Sequence, residues 1–168
     1  MRNDRERILD IIEAYCRVVR EETGSGRITM IELDREHMVR EIGRCLFGVE
    51  DLLLGYLYGS FLVRDDYHDI DIGLLVAGER KPYELFKYAM KIASDLERCI
   101  TPRCEVDLRI LNTAPIEFQY EVVKTGRVVF ARDESLQTAF EADVLAKYLD
   151  LKYLYDRMDR ALLAPVGR

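Results

Sequence analysis

The stretch that decides the fold is Tyr56–Val76, YLYGSFLVRDDYHDIDIGLLV. An apolar run closes on Gly59-Ser60, a short polar loop follows, and Asp69-Ile70-Asp71 opens a second apolar run. If that second run is a strand, its period of two places both aspartates on one face. Two neighbouring carboxylates repel and disturb each other's ionisation, so the pair asks for a cation. A Gly-Ser turn beside them offers close backbone approach and a hydroxyl, which suits a phosphate. Together these features point to metal-assisted nucleotide chemistry.

Outward from this stretch the chain alternates strands and helices. Leu52–Tyr58 reads as a buried strand, and Ile70–Ala77 as a second one pairing with it. Pro82 opens a helix with Leu85, Phe86, Ala89, Met90, Ala93 and Leu96 at helical spacing, broken at Thr101-Pro102. Residues 104–111, CEVDLRIL, alternate cleanly, with Cys104, Val106, Leu108 and Ile110 on one face and Glu105, Asp107 and Arg109 on the other. A short helix at Ile116–Lys124, a strand at Arg127–Ala131 and a long helix from Asp133 to about Leu163 complete that half. N-terminal to Leu52 the pattern predicts a helix over Asp4–Glu22, a short strand over Ile28–Leu33, and a helix capped by Asp34 that stops near Gly48. The fold class is therefore α/β (α+β), a mixed β-sheet with flanking helices. The 168 residues form a single domain, with 1–26 as an N-terminal helical extension.

Composition sets limits. The chain is 49% hydrophobic and 33% charged, which is globular rather than disordered. Its net charge of −6 gives no overall basic footprint for nucleic acid. No apolar run approaches the roughly 18 residues that span a bilayer, and the charged start MRNDRERILD is unlike a targeting segment. The expected location is cytoplasmic, with reduced, packed thiols at Cys16, Cys45, Cys99 and Cys104; a Cys99–Cys104 disulfide is conceivable but disfavoured there. Two histidines, His37 and His68, are too few for a His-rich metal site.

A third carboxylate makes a two-metal site possible, and Asp107 is the candidate, a mid-strand acid on a polar face. The plain reading of Glu105, Asp107 and Arg109 is a solvated charged face; beside Asp69 and Asp71 the metal reading gains weight. Gly59-Ser60, Asp69-Ile70-Asp71 and a later strand Asp107 resemble the polymerase-beta-type nucleotidyltransferase superfamily. The similarity is greatest to its minimal members (MNT), small prokaryotic proteins often paired with HEPN-domain partners. It runs from about Leu52 to Leu163 and includes VDLRILNTAPIEFQYEVVKTGRVVFARD (106–133) and FEADVLAKYLDLKYLYDR (140–157).

The resemblance implies a nucleotidyltransferase fold and Mg2+-dependent transfer of NMP, AMP from ATP foremost, to a hydroxyl. In an antitoxin role the acceptor would be a tyrosine of a HEPN-type ribonuclease partner. It implies that Asp69 and Asp71 bind two Mg2+ ions, that Asp107 binds the catalytic one and helps activate the attacking hydroxyl, and that Gly59 and Ser60 hold the β and γ phosphates. The loop departs from the pattern: it is about two residues shorter than the GSxARG…SDxD arrangement of many relatives, with no glycine after Arg64 and His68 where serine is frequent. Arg64 either contacts the triphosphate or neutralises Asp65 and Asp66, and His68 either touches substrate or caps the strand. Arg109 either pairs with Asp107 or holds Glu105 away. Lys81, Lys87 and Lys91 read as a solvated helix face, and Tyr148, Tyr153 and Tyr155 as packing residues. Two other readings stand beside the enzyme: a non-catalytic antitoxin acting by contact alone, and a small-molecule nucleotidyltransferase. A homo-oligomer is compatible with the N-terminal helix.

Overall fold

The structure, a computed structural model, describes residues 30–163, with side chains from Arg35 onward except those of 159 and 161–163. The expected helix over Asp4–Glu22, and with it the 1–26 extension, lies outside the described residues. Arg35–Arg168 makes one compact unit, distinct from Met1–Asp34.

The described chain runs α1 (Met30–Phe47), β1 (Leu52–Tyr58), α2 (Ser60–Val63), β2 (Asp69–Val76), α3 (Pro82–Cys99), β3 (Glu105–Ile110), a 3-10 turn (Leu111–Thr113), α4 (Ile116–Thr125), β4 (Arg127–Ala131) and α5 (Glu134–Leu163). Two local expectations change. Met30–Leu33 is helical, so the strand expected over Ile28–Leu33 is not formed there, and Asp34 lies within α1 rather than capping it. A short apolar run does not distinguish strand from helix by period alone, and here it continues the helix that carries Met38, Val39, Ile42 and Leu46. The loop after Gly59 is not wholly irregular, because Ser60–Val63 forms a helical turn that buries Phe61.

The four strands form one mixed sheet in the order β3-β2-β1-β4. β1 is antiparallel to both neighbours, whereas β2 and β3 run parallel, joined through α3 as parallel strands require. One face carries Leu57, Ile70, Ile72, Leu74 and Val106, in the same core cluster as Met38, Ile42 and Leu46 of α1 and Leu85, Ile92 and Leu96 of α3. The other face carries Leu54 and Tyr56, clustered with Leu111, Phe118 and Val122 of the 3-10 turn and α4, and with Leu136 and Phe140 of α5. Gly73 permits this second layer to close down, since a Cβ there would stand 3.2 Å from Leu111 Cδ2 and 3.3 Å from Val122 Cγ1. The sheet is thus layered between helices.

The cysteines depart from expectation. Cys45 of α1 and Cys99 at the end of α3 are joined in a disulfide, their Cα atoms 6.7 Å apart. Among the described residues Cys104 is the free thiol, and it donates to the carbonyl of His68 at 3.5 Å. Both bonded residues flank the α1/α3 core layer, a tertiary proximity that their separation of 54 residues conceals. No helix among the described residues is long and apolar enough to cross a membrane.

Candidate active site

β1 ends where β2 begins, and this sets the site. In the antiparallel β1/β2 register Tyr58 lies opposite Asp71, and in the parallel β2/β3 register Asp71 lies beside Asp107. Tyr58, Asp71 and Asp107 therefore form one row across three strands, on the face opposite Ile70 and Ile72. Asp69 and Glu105 pair in the next row, toward the loop. The three expected carboxylates share a face and an end of the sheet. Leu111 and Val122 are packed over Gly73, while Asp69, Asp71 and Asp107 remain partly exposed.

The Gly59-Ser60 turn is fitted against this row. Gly59 has φ of 76° and ψ of −156°, a region that glycine alone occupies freely. A Cβ there would overlap Asp71 Oδ2 and stand 2.9 Å from Asp71 Cγ. Glycine is thus required twice, by backbone conformation and by the carboxylate it touches.

Charge is concentrated here. Burial raises the Asp71 carboxyl above its usual range; the negative charges of Asp69 and Asp107 raise it further, and Arg109 partly offsets them. Burial likewise raises the Tyr58 phenol, with Asp71, Asp107 and Asp69 adding to it. Arg109 reaches Asp107 at 3.5 Å and lies over the Phe118 ring, 5.4 Å from its centroid. Of the two roles open to Arg109, the structure shows the pairing with Asp107.

The rim residues fall as follows. Arg64 holds Asp66 with two hydrogen bonds of 2.9 and 2.8 Å, and its carbonyl accepts from Arg35. Arg35 also pairs with Asp65 at 2.9 Å, so the short loop is laced by alternating charges. His68 is exposed. Lys81, Lys87 and Lys91 are exposed as expected, Lys87 lying over Tyr83. Tyr148 stacks on Tyr120 at 3.7 Å, but Tyr153 and Tyr155 are largely exposed. Tyr58 and Phe118 are the site residues that sequence reasoning did not select. The alternation of Leu54, Tyr56 and Tyr58 carried the face of Tyr58, whereas its partner Asp71 depended on strand register.

The donor set is one of hard oxygens, suited to Mg2+. Among the described residues no three His, Cys, Asp or Glu side chains are gathered into a ready metal-binding group. Mg2+ needs few protein ligands, because one or two carboxylates with water and substrate phosphates complete its shell.

The sequence profile described as Polymerase beta, Nucleotidyltransferase matches residues 41–135, more than half of the chain. The chain belongs to the polymerase beta nucleotidyltransferase family. Its mixed sheet with flanking helices is the family's fold, and as a nucleotidyltransferase it is an enzyme. No curated protein sequence matches this nucleotidyltransferase. Among solved structures, its fold is similar to a chain from a tri-AMPylated Shewanella oneidensis HEPN toxin in complex with MNT antitoxin. The two are 23% identical with a TM-score of 0.54, covering 80% of this chain and 100% of the other. It is similar also to a chain of the MntA-HepT toxin-antitoxin complex (22% identity, TM-score 0.53, 79% and 99% covered). A toxin-antitoxin structure with AMP-PNP gives 24% identity and a TM-score of 0.57, with 75% and 98% covered. The family match agrees with the superfamily resemblance read from the Gly59-Ser60, Asp69-Ile70-Asp71 and Asp107 pattern, and the chains of the antitoxin complexes share the fold.

Proposed function

We propose that this nucleotidyltransferase moves the AMP of ATP onto a hydroxyl, and that the acceptor is a tyrosine of a HEPN-type partner protein, in an antitoxin role. The observation that carries the reading is the carboxylate row Asp71–Asp107, with Asp69 one row away, pressed against a turn that only glycine can make. In this reading Asp69, Asp71 and Asp107 hold two Mg2+ ions. When bound, Mg2+ neutralises the triphosphate and the charge that develops during transfer. Gly59 and Ser60 cradle the β and γ phosphates. Arg64 exchanges Asp66 for the triphosphate, a small cost because an exposed ion pair contributes little. The acceptor oxygen bonds to the α-phosphorus as the bond to pyrophosphate breaks, and Asp107 orients the acceptor hydroxyl and takes its proton. Catalysis is then mainly positioning and charge stabilisation.

The neighbours' HEPN toxins and AMP-PNP support this partner and this nucleotide. An antitoxin acting by contact alone would need neither the acidic row nor the strained Gly59. The test is labelled ATP, Mg2+ and a co-encoded HEPN protein, with wild type beside Asp69→Asn. Label is expected on a partner tyrosine with wild type and not with the variant. Neutralisation of the partner by the variant without any labelling would refute the catalytic account.

A further inference from the structure

Tyr58 contributes a group that the reaction as described does not use. Its ring packs edge-on against Phe118, with centroids 5.5 Å apart and planes at 85°. Its hydroxyl oxygen is shielded from solvent and has no hydrogen-bond partner among the described residues. A buried hydroxyl without a partner costs stability and is uncommon in folded proteins. Phenylalanine would supply the same ring contact with Phe118 and the same strand packing without that cost. By strand register Tyr58 also stands in the acidic row, opposite Asp71 and in line with Asp107, and the charges of Asp71, Asp107 and Asp69 act on its phenol. Among the described residues the other buried side-chain atoms without partners are Arg35 Nε and Tyr88 Oη, and Tyr88 packs under Arg80 at the other end of β1 and β2. Only Tyr58 among them stands in the carboxylate row.

We propose that the Tyr58 hydroxyl is a substrate-binding group, donating a hydrogen bond to an anionic or metal-polarised oxygen that enters with the metal and nucleotide. A phenol, with an ordinary pKa of about 10, is a donor at neutral pH. An ionised carboxylate row offers acceptors only, so a donor placed within it can orient an incoming oxygen that the carboxylates alone would repel. The oxygen belongs either to a metal-bound water or to a phosphate. The inference rests on the reading of Asp69, Asp71 and Asp107 as the metal–nucleotide site.

The test is Tyr58→Phe in the full chain, followed by thermal unfolding and by calorimetric titration. One arm uses Mg2+ alone, and the other uses Mg2+ with a non-hydrolysable ATP analogue. Without ligand the variant should unfold at the same or a higher temperature, since the unpartnered hydroxyl is gone. Its affinity should fall on the order of tenfold, as for other groups that orient a metal's ligands. A loss already present with Mg2+ alone assigns the oxygen to metal-bound water, and a loss confined to the nucleotide arm assigns it to phosphate. Wild-type affinity in both arms overturns the inference, as does a lower melting temperature without ligand, which would mean that the hydroxyl is engaged within the protein. If wild type itself binds neither ligand, the site reading fails and this inference fails with it.

Discussion

Replacing Gly59 by alanine separates backbone strain from the clash with Asp71. The backbone at φ 76°, ψ −156° costs a non-glycine residue about 1–3 kcal/mol. At roughly 2–4 °C per kcal/mol for a chain of this size, a mid-range cost lowers the melting temperature by about 4–8 °C. The added methyl also cannot coexist with the present position of the Asp71 carboxylate, which must swing away. On the proposed role of Asp71, displacing the carboxylate by about 1 Å costs on the order of 100-fold in rate, so the proposed AMP transfer should fall at least that far. Gly78→Ala is the comparison, because Gly78 has φ of 77° and nothing lies within 4 Å of where its methyl would stand. It should lose stability through backbone strain but keep its activity. Urea unfolding of Gly59→Ala, Asp71→Ala and the double variant then isolates the clash. In the Asp71→Ala background Gly59→Ala should cost less, by a coupling of about 0.5–3 kcal/mol. Additive costs would refute the claim that Gly59 is required by Asp71.

Asp71→Asn should stabilise the ligand-free protein at neutral pH. The folded-state carboxyl is raised above its unfolded value, so its ionised form is penalised on folding. That penalty is fully present above the raised value, shrinks as pH falls through it, and is gone below the unfolded carboxylate range. The advantage of Asp71→Asn in urea unfolding should therefore disappear on acidification to about pH 3, below the ordinary aspartate pKa of about 3.9; an advantage that persists unchanged would show that charge is not its cause. Arg64→Ala should leave stability nearly unchanged, since Arg64 and Asp66 are exposed. Steady-state transfer assays should show KM for ATP raised several-fold and kcat nearly unchanged; an unaltered KM would leave Arg64 as a partner of Asp66 alone.

Much of this architecture was legible because local signals and tertiary structure agree. Arg127–Ala131 is a strand with the limits its apolar run predicted, α3 opens at Pro82, and the alternation in residues 104–111 assigns Val106 to the core and Asp107 to the opposite face, beside Asp71. What escaped depends on contacts between segments. Met30–Leu33 is too short to reveal its period, and the helical turn Ser60–Val63 is set by burial of Phe61 beneath the loop. The Cys45–Cys99 bond follows from two helices flanking one core layer. Tyr58 reads as one more apolar strand residue until the register places it opposite Asp71.

The same register explains why a shortened loop can leave the acidic row in place. Asp71 and Asp107 are aligned by the parallel β2/β3 pairing, and Asp71 is set against Tyr58 by antiparallel pairing with β1. Neither relation passes through residues 61–68. The position of Gly59 is fixed by the end of β1, and its contact with Asp71 by the start of β2, so the turn and the carboxylates form one rigid piece of sheet. The loop instead governs where Arg64 stands, and Asp66 and the Arg35–Asp65 pair anchor that segment. On the proposed function, changes in loop length or sequence therefore act first on how the triphosphate is gripped. The carboxylate row depends instead on the strand ends and on Gly59, where a Cβ would meet Asp71.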